Sequence, residues 1–238
     1  MRLDKYLADC GAGSRSEIKK LIRGGDVRVF GIDKLKPDMQ IDEKTAEVSL
    51  RGKKLIYRKF IYLMLNKPQG YLSATWDARQ PVVLDLVPEE FRHYKPFPVG
   101  RLDIDTEGLC LITNDGEIAH KITSPVHHIP KTYIAVIDKE INYNDIKAFK
   151  EGIVLDDGYK TKPAELRVIE ENENPLTEVV ITEGKFHQIK RMFEALDKRV
   201  LYLKRTAMNR LVLDEDLKPG EIRELTADEV SLLETGDK

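Results

Sequence analysis

Residues 51–59 divide this chain more sharply than any other stretch. Arg51-Gly52-Lys53-Lys54 and Arg58-Lys59 are basic and turn-like, and a continuous apolar run from Phe60 to Leu65 begins directly after them. Such a run needs cover on both faces, so it opens a new core instead of extending an old one. The sequence therefore predicts two domains, 1–58 and 59–238. With 238 residues, 41% hydrophobic and 34% charged, there is chain enough for both and too much apolar content for disorder.

The first segment has helical spacing. Leu3, Tyr6 and Leu7 recur on one face, and Gly11-Ala12-Gly13 closes that helix. Ser14-Arg15-Ser16-Glu17 has the form of a capping box, and Ile18, Leu21 and Ile22 give the next helix an apolar stripe that ends at Gly24-Gly25. Val27-Arg28-Val29 alternates like a strand before a turn at Gly31, and residues 41–50 supply further strand pieces. Residues 1–60 hold 15 Lys/Arg against 9 Asp/Glu, whereas the remainder holds 24 against 32. Arg2, Arg15, Lys19, Lys20, Arg23 and Arg28, read as unpaired, and Lys5 cluster on and just after the two helices. They are either a solvated face or a surface that neutralises phosphates.

The second segment is strand-rich. Residues 109–113, 133–137 and 178–182 read as strands, the first ended by a turn at Asn114-Asp115-Gly116. Residues 117–122, 143–150 and 187–196 read as helices, and the tail from Leu211 as a last strand and a short helix. Helices do not alternate regularly with strands, so the expected class is α+β with a mixed, mainly antiparallel sheet. No run of about eighteen apolar residues exists to span a membrane. Asp4 stands where a signal peptide would be apolar. Cys10 and Cys110 lie far apart, against a disulfide framework or a Cys-based zinc site. The protein is expected in the cytoplasm, without a metal.

Two stretches carry the candidate chemistry. Residues 98–109 place Arg101, Asp103 and Asp105 in a polar, glycine-flanked loop just before a buried strand. Asp103 and Asp105 suit an acid/base pair or a cation site, although most such acids only stabilise turns. Residues 185–210 hold 8 bases against 2 acids. There Ile189, Met192 and Phe193 form a buried stripe and leave Lys190 and Arg191 pointing elsewhere. No GxxxxGK[ST], GxGxxG, HExxH or GxSxG occurs, so nucleotide cofactor, zinc and serine-hydrolase readings lack support.

The first segment, through RLDKYLADCG and SRSEIKKLIRGGDVRV, resembles the S4 RNA-binding module; Phe30 departs from the small polar turn residue usual there. LNKPQGY (65–71), GRLDIDTEGLCLITNDG (100–116), SPVHHIPKTY (124–133), EGKFHQIKRMF (183–193) and LKPGEIRELT (217–226) together resemble the pseudouridine synthases. The branch resembled is that of the ribosomal small-subunit pseudouridine synthase A, over essentially the whole chain. That resemblance implies isomerisation of a uridine without metal or cofactor, by an essential aspartate that maps onto Asp103. It implies base flipping, with Tyr133 stacking on the extruded base, and a basic partner for Asp103 at Lys190 or, failing that, Arg191. Arg101 would fill the space left by the base or bind a phosphate, and His187 and Gln188 would shape the site. Asp105 is expected to be structural. Asp103 either attacks C1′ or removes the C2′ proton; the sequence leaves both open.

The implied partner is ribosomal RNA bound by a monomer, and the HQIKRM form favours the small subunit over the large. The rivals are a large-subunit enzyme of the same branch, a catalytically silent RNA-binding protein, and a hydrolase using Asp103 with Asp105.

Overall fold

A computed structural model describes residues 1–234. By its contacts the chain forms two units, Met1–Ile61 with Pro88–Pro96, and Tyr62–Val87 with Phe97 onward.

In the first unit, helices α1 (Leu3–Asp9) and α2 (Arg15–Arg23) stand over a small antiparallel sheet of β1 (Val27–Val29), β2 (Val48–Leu50) and β3 (Lys53–Lys54). The α2 capping box forms as the sequence implies. The Ser14 amide donates to Glu17 Oε2 at 2.7 Å, and the Glu17 amide to Ser14 Oγ at 3.4 Å. Leu3, Tyr6, Leu7, Ile18, Ile22, Val27 and Val48 make one core. Of residues 41–50 only the last three form a strand. Asp42 accepts from the Lys44 amide and the Thr45 hydroxyl and so bends the chain into a turn. A further short helix, α3 (Glu89–Arg92), belongs to this unit, and the ring of His93 after it lies against Gly11.

The second unit is built on a nine-stranded sheet. Its strands are β4 (Tyr62–Lys67), β5 (Phe97–Pro98), β6 (Glu107–Thr113), β7 (Lys131–Ile137), β8 (Glu165–Glu170), β9 (Leu176–Ile181), β10 (Val200–Met208), β11 (Leu211–Val212) and β12 (Ile222–Glu224). The order is β12-β4-β6-β10-β7-β9-β8, with β5 beside β6 and β11 beside β10. Only β6 and β10 pair in parallel, so the α+β, mainly antiparallel expectation holds. The helices are α4 (Gly116–Thr123), α5 (Tyr143–Glu151), α6 (Gln188–Glu194) and α7 (Ala227–Glu234). Asn114-Asp115-Gly116 is a helix start and not a hairpin turn. Asp115 accepts from the Glu117 and Ile118 amides, which caps α4. The tail adds two short strands and α7 where one strand and a helix are expected; residues 235–238 lie outside the described residues.

Two features fix α6, the element that matters for the site. Its Phe193 meets Phe149 of α5 with ring centroids 4.9 Å apart, both rings wholly buried. Just past its end, Lys198 donates to Asp145 of α5 at 2.9 Å, an ion pair with both partners buried. Breaking a buried pair of that kind costs about 3–5 kcal/mol, so the helix has little freedom to shift.

Candidate active site

The loop Arg101–Thr106 runs between β5 and β6 and is held from below by a lysine. Lys67, at the end of β4, is fully buried. Its ammonium donates to the carbonyls of Pro68, Ile104 and Thr106 at 3.0, 3.3 and 2.8 Å. Burial pushes its pKa down to about 8. Ser73 adds a two-way clamp, exchanging hydrogen bonds with the amide and carbonyl of Leu102, both at 3.0 Å. The loop then enters β6 through Gly108, where a Cβ would lie 2.2 Å from the Arg205 carbonyl. Only glycine allows β10 to come that close.

On this rigid support the carboxylates meet α6. Lys190 donates to Asp103 Oδ2 at 3.2 Å and to Asp105 Oδ1 at 2.6 Å. Burial works against the charge on both Asp105 and Lys190. Their hydrogen bond and mutual attraction outweigh it, so Asp105 lies below its usual range and Lys190 above. Asp105, expected to be only a turn acid, is thus the nearer acceptor of the Lys190 ammonium. His187 sits in the left-handed region at φ 49° at the head of α6, with Nε2 3.7 Å from Asp103 Oδ1. Gln188 braces the turn before the helix: its Oε1 accepts from the Lys185 amide and its Nε2 donates to the buried Glu183, both at 2.9 Å.

Asp103, Arg101, Tyr133 and Lys190 line one cavity of about 70 Å³. A second cavity, of about 350 Å³, shares the first three of these. Tyr133 is 7% exposed, so its ring forms wall and not rim. Arg191 is not part of this group. It turns away to Asp156 and Asp157, with Nε 2.7 Å from Asp156 and Nη2 2.7 Å from Asp157, which leaves Lys190 as the basic partner of Asp103. The helical period explains the split, since adjacent residues project about 100° apart.

In the first unit all seven expected RNA-contacting cations are exposed. Arg2, Lys5, Arg15 and Lys19 line a common groove with Asp4 and Asp9, while Lys20, Arg23 and Arg28 lie outside it. Arg2 is not unpaired as read from the sequence: it forks onto Asp4 with contacts of 3.0 and 2.8 Å, because residues two apart at the helix start bring the two heads together. Lys67 and Ser73 were missed as functional positions. The available signal was a lysine closing a largely apolar strand, which burial tolerates only with several acceptors. Among the described residues no cluster of three or more His, Cys, Asp or Glu could hold a metal, and no helix is long and apolar enough to cross a membrane.

With an acid held by a lysine at a cavity edge, the fold and site fit one class of enzyme, and the comparisons agree. The family model for RNA pseudouridylate synthase matches residues 61–195, and that for the S4 domain residues 1–31. The chain belongs to the RNA pseudouridylate synthase family, and its activity is that of an RNA pseudouridine synthase, an isomerase. It is 47% identical over 234 residues to an RNA pseudouridine synthase of Bacillus subtilis (strain 168), YtzG, itself described as uncharacterized; the match covers 98% of each chain. It is 40% identical over 239 residues to ribosomal small subunit pseudouridine synthase A of Escherichia coli (strain K12), covering 97% of this chain and 99% of that one. A crystal structure of a pseudouridylate synthase superposes with a TM-score of 0.69 at 36% identity, over 98% of this chain and 99% of the other.

Proposed function

We propose that this enzyme converts one uridine of small-subunit ribosomal RNA to pseudouridine, with Asp103 as the reacting carboxylate. The observation that carries the reading is the Asp103 carboxylate itself: 27% exposed at a cavity that Tyr133 walls, and held by Lys190 from 87 residues further along the chain. A carboxylate that a lysine holds at the edge of a cavity suits attack on C1′ or removal of the C2′ proton. Tyr133 offers a flat face to an extruded uracil, a stacking contact worth about 1–3 kcal/mol. Arg101, exposed at the same cavity, is suited to a phosphate or to the gap in the helix stack. Residues 1–58 act as the RNA-holding module and 59–238 as the catalytic one. Asp103, Tyr133 and Lys190 all come from one chain, so a monomer suffices, acting in the cytoplasm.

Support for the small subunit comes from relatives of that name, 39–41% identical over 97% of this chain. The test is carbodiimide mapping of pseudouridine by primer extension on ribosomal RNA from cells with and without the gene. One small-subunit stop should vanish and return with the wild-type gene but not with Asp103→Asn, for which the purified protein should lose at least about 10³-fold in turnover while keeping its RNA affinity. A lost stop in large-subunit RNA would move the substrate; full rescue by Asp103→Asn would remove Asp103 from its role.

A further inference from the structure

The larger cavity beside Asp103 has a wall that the reading so far leaves unused. Besides Arg101, Asp103 and Tyr133 it is lined by Lys131, Arg205 and Met208. Arg205 on β10 stands directly across from Tyr133 on β7, and Lys131 lies two residues before Tyr133 on the same strand. Alternation along the strand puts all three side chains on one face of the sheet. Arg205 is only 2% exposed. Its Nε donates to the Leu109 carbonyl at 2.8 Å, while its Nη2 is buried with no partner among the described residues. Lys131 donates to the Ile129 carbonyl at 3.0 Å. No carboxylate of the described residues pairs with either cation. Burial, with the Arg205 charge adding to it, pushes Lys131 down to about 8.

An unpaired buried guanidinium N–H is costly, and a second cation beside it that no carboxylate pairs with adds to that cost. The arrangement is complementary to an anion that enters the cavity. A backbone phosphate is a poor candidate, because it stays on the RNA strand and the Arg205 Nη2 is buried. The flat base of an extruded uridine can go where a phosphate cannot. In the isomerisation proposed above, on which this inference rests, the N1–C1′ bond breaks and its electron pair departs with the base. That holds whether C1′ is taken by the Asp103 carboxylate or freed by loss of the C2′ proton. The detached uracil is then an anion with charge spread onto its carbonyl oxygens.

We propose that Arg205, with Lys131 beside it, binds the detached uracil as its anion by donating to a base carbonyl oxygen while the base turns from N1 to C5. The step balances without an oxidant: the N1–C1′ bond is exchanged for a C5–C1′ bond, the C5 proton leaves, and N1 takes up a proton. Arg205 is then a catalytic residue that holds charge developing away from the sugar, as an oxyanion-binding donor does in acyl transfer.

The test compares two RNA fragments in single turnover, both spanning the mapped target and differing only there, one with uridine and one with 5-fluorouridine. Fluorine withdraws electrons and stabilises the uracil anion by itself, so cleavage of its glycosidic bond depends less on an external donor. Arg205→Gln should slow cleavage of uridine by about 10²-fold and that of 5-fluorouridine by less than about tenfold. Lys131→Gln should show the same bias with a smaller loss, and Arg205→Lys should fall between wild type and Arg205→Gln. Should Arg205→Gln fail to fold, as judged by circular dichroism, Lys131→Gln and Arg205→Lys carry the same comparison. Equal fractional slowing of both RNAs would make Arg205 a strut for β6 and overturn the assignment alone. A wild-type enzyme that consumes neither RNA would bring down the proposed reaction and this inference together.

Discussion

The two units of this molecule use positive charge in opposite ways. In the first, Lys5, Arg15, Lys19, Lys20, Arg23 and Arg28 are all exposed, where water screens them and only a dense row of phosphates gives them energy. In the second, Lys67 and Arg205 are almost wholly buried and Lys190 partly so, and the first and last are tied to named oxygens by hydrogen bonds of 2.6–3.3 Å. Exposed cations hold a large ligand by number; buried ones hold atoms in place by geometry. Neutralising a cation should therefore change salt dependence in one unit and turnover or stability in the other.

The largest effect is expected at Lys67. Lys67→Met keeps the volume but leaves the carbonyls of Pro68, Ile104 and Thr106 without their donor. At about 1–3 kcal/mol for an unsatisfied buried acceptor, a loss of about 3 kcal/mol in unfolding free energy at pH 7 is expected. Turnover should fall with it, since the Asp103 loop loses its anchor. The pH dependence has a definite sign. The folded pKa of Lys67 is about 8, against 10.5 for an ordinary lysine. The unfolded chain thus binds more protons between those values, and wild-type stability gains with rising pH across that window. Lys67→Met cannot share that gain, so the gap between the two proteins should widen from pH 8 to 10.5 in denaturant titrations. A constant gap would mean that folding does not lower the pKa of Lys67.

The sequence was legible wherever one local rule settles the outcome. The α2 capping box, the Ile189-Met192-Phe193 stripe and the strand at 109–113 all needed only their own periodicity. It was less legible where a contact joins distant residues. Nothing local separates Lys190 from Arg191, since both follow the same buried stripe; the choice comes from Asp156 and Asp157, more than 30 residues earlier, drawing Arg191 away. Asp105 looked like a turn acid for the same reason. Its role as second acceptor for Lys190 exists only once α6 lies beside the loop. Lys67 and Arg205 were passed over because a basic residue in a strand reads as an edge until burial shows otherwise.

A smaller effect is expected in the first unit. Replacing Lys5, Arg15 and Lys19 together by alanine should leave folding intact, because all three heads are exposed. It should also lower the steepness of log affinity against log salt by about 2 to 3, at roughly 0.7–0.9 per phosphate contact. Arg2→Ala alone should change that slope less than Arg15→Ala alone, because Arg2 is already committed to Asp4. An equal drop would show that RNA displaces Asp4 from Arg2. Filter binding of the ribosomal RNA fragment from about 50 to 200 mM salt reads both.

The sharpest contrast within one helix separates Lys190 from its neighbour, whose own removal is expected to have the smallest effect. Arg191 ends in exposed carboxylates, Asp156 at 80% and Asp157 at 54% side-chain exposure, and it touches neither Asp103 nor the cavities. Exposed pairs of this kind contribute little, so Arg191→Ala should leave turnover within about twofold. Lys190→Met removes the one ammonium shared by Asp103 and Asp105 and leaves two like charges facing each other, which should raise the apparent pKa governing turnover. Its turnover at neutral pH should fall by about 10²-fold, the scale of losing one placed charge in a catalytic site, and recover in part as the pH rises. If Arg191→Ala were the more damaging of the two, charge would act on this site through the field of the whole helix and not through a single contact.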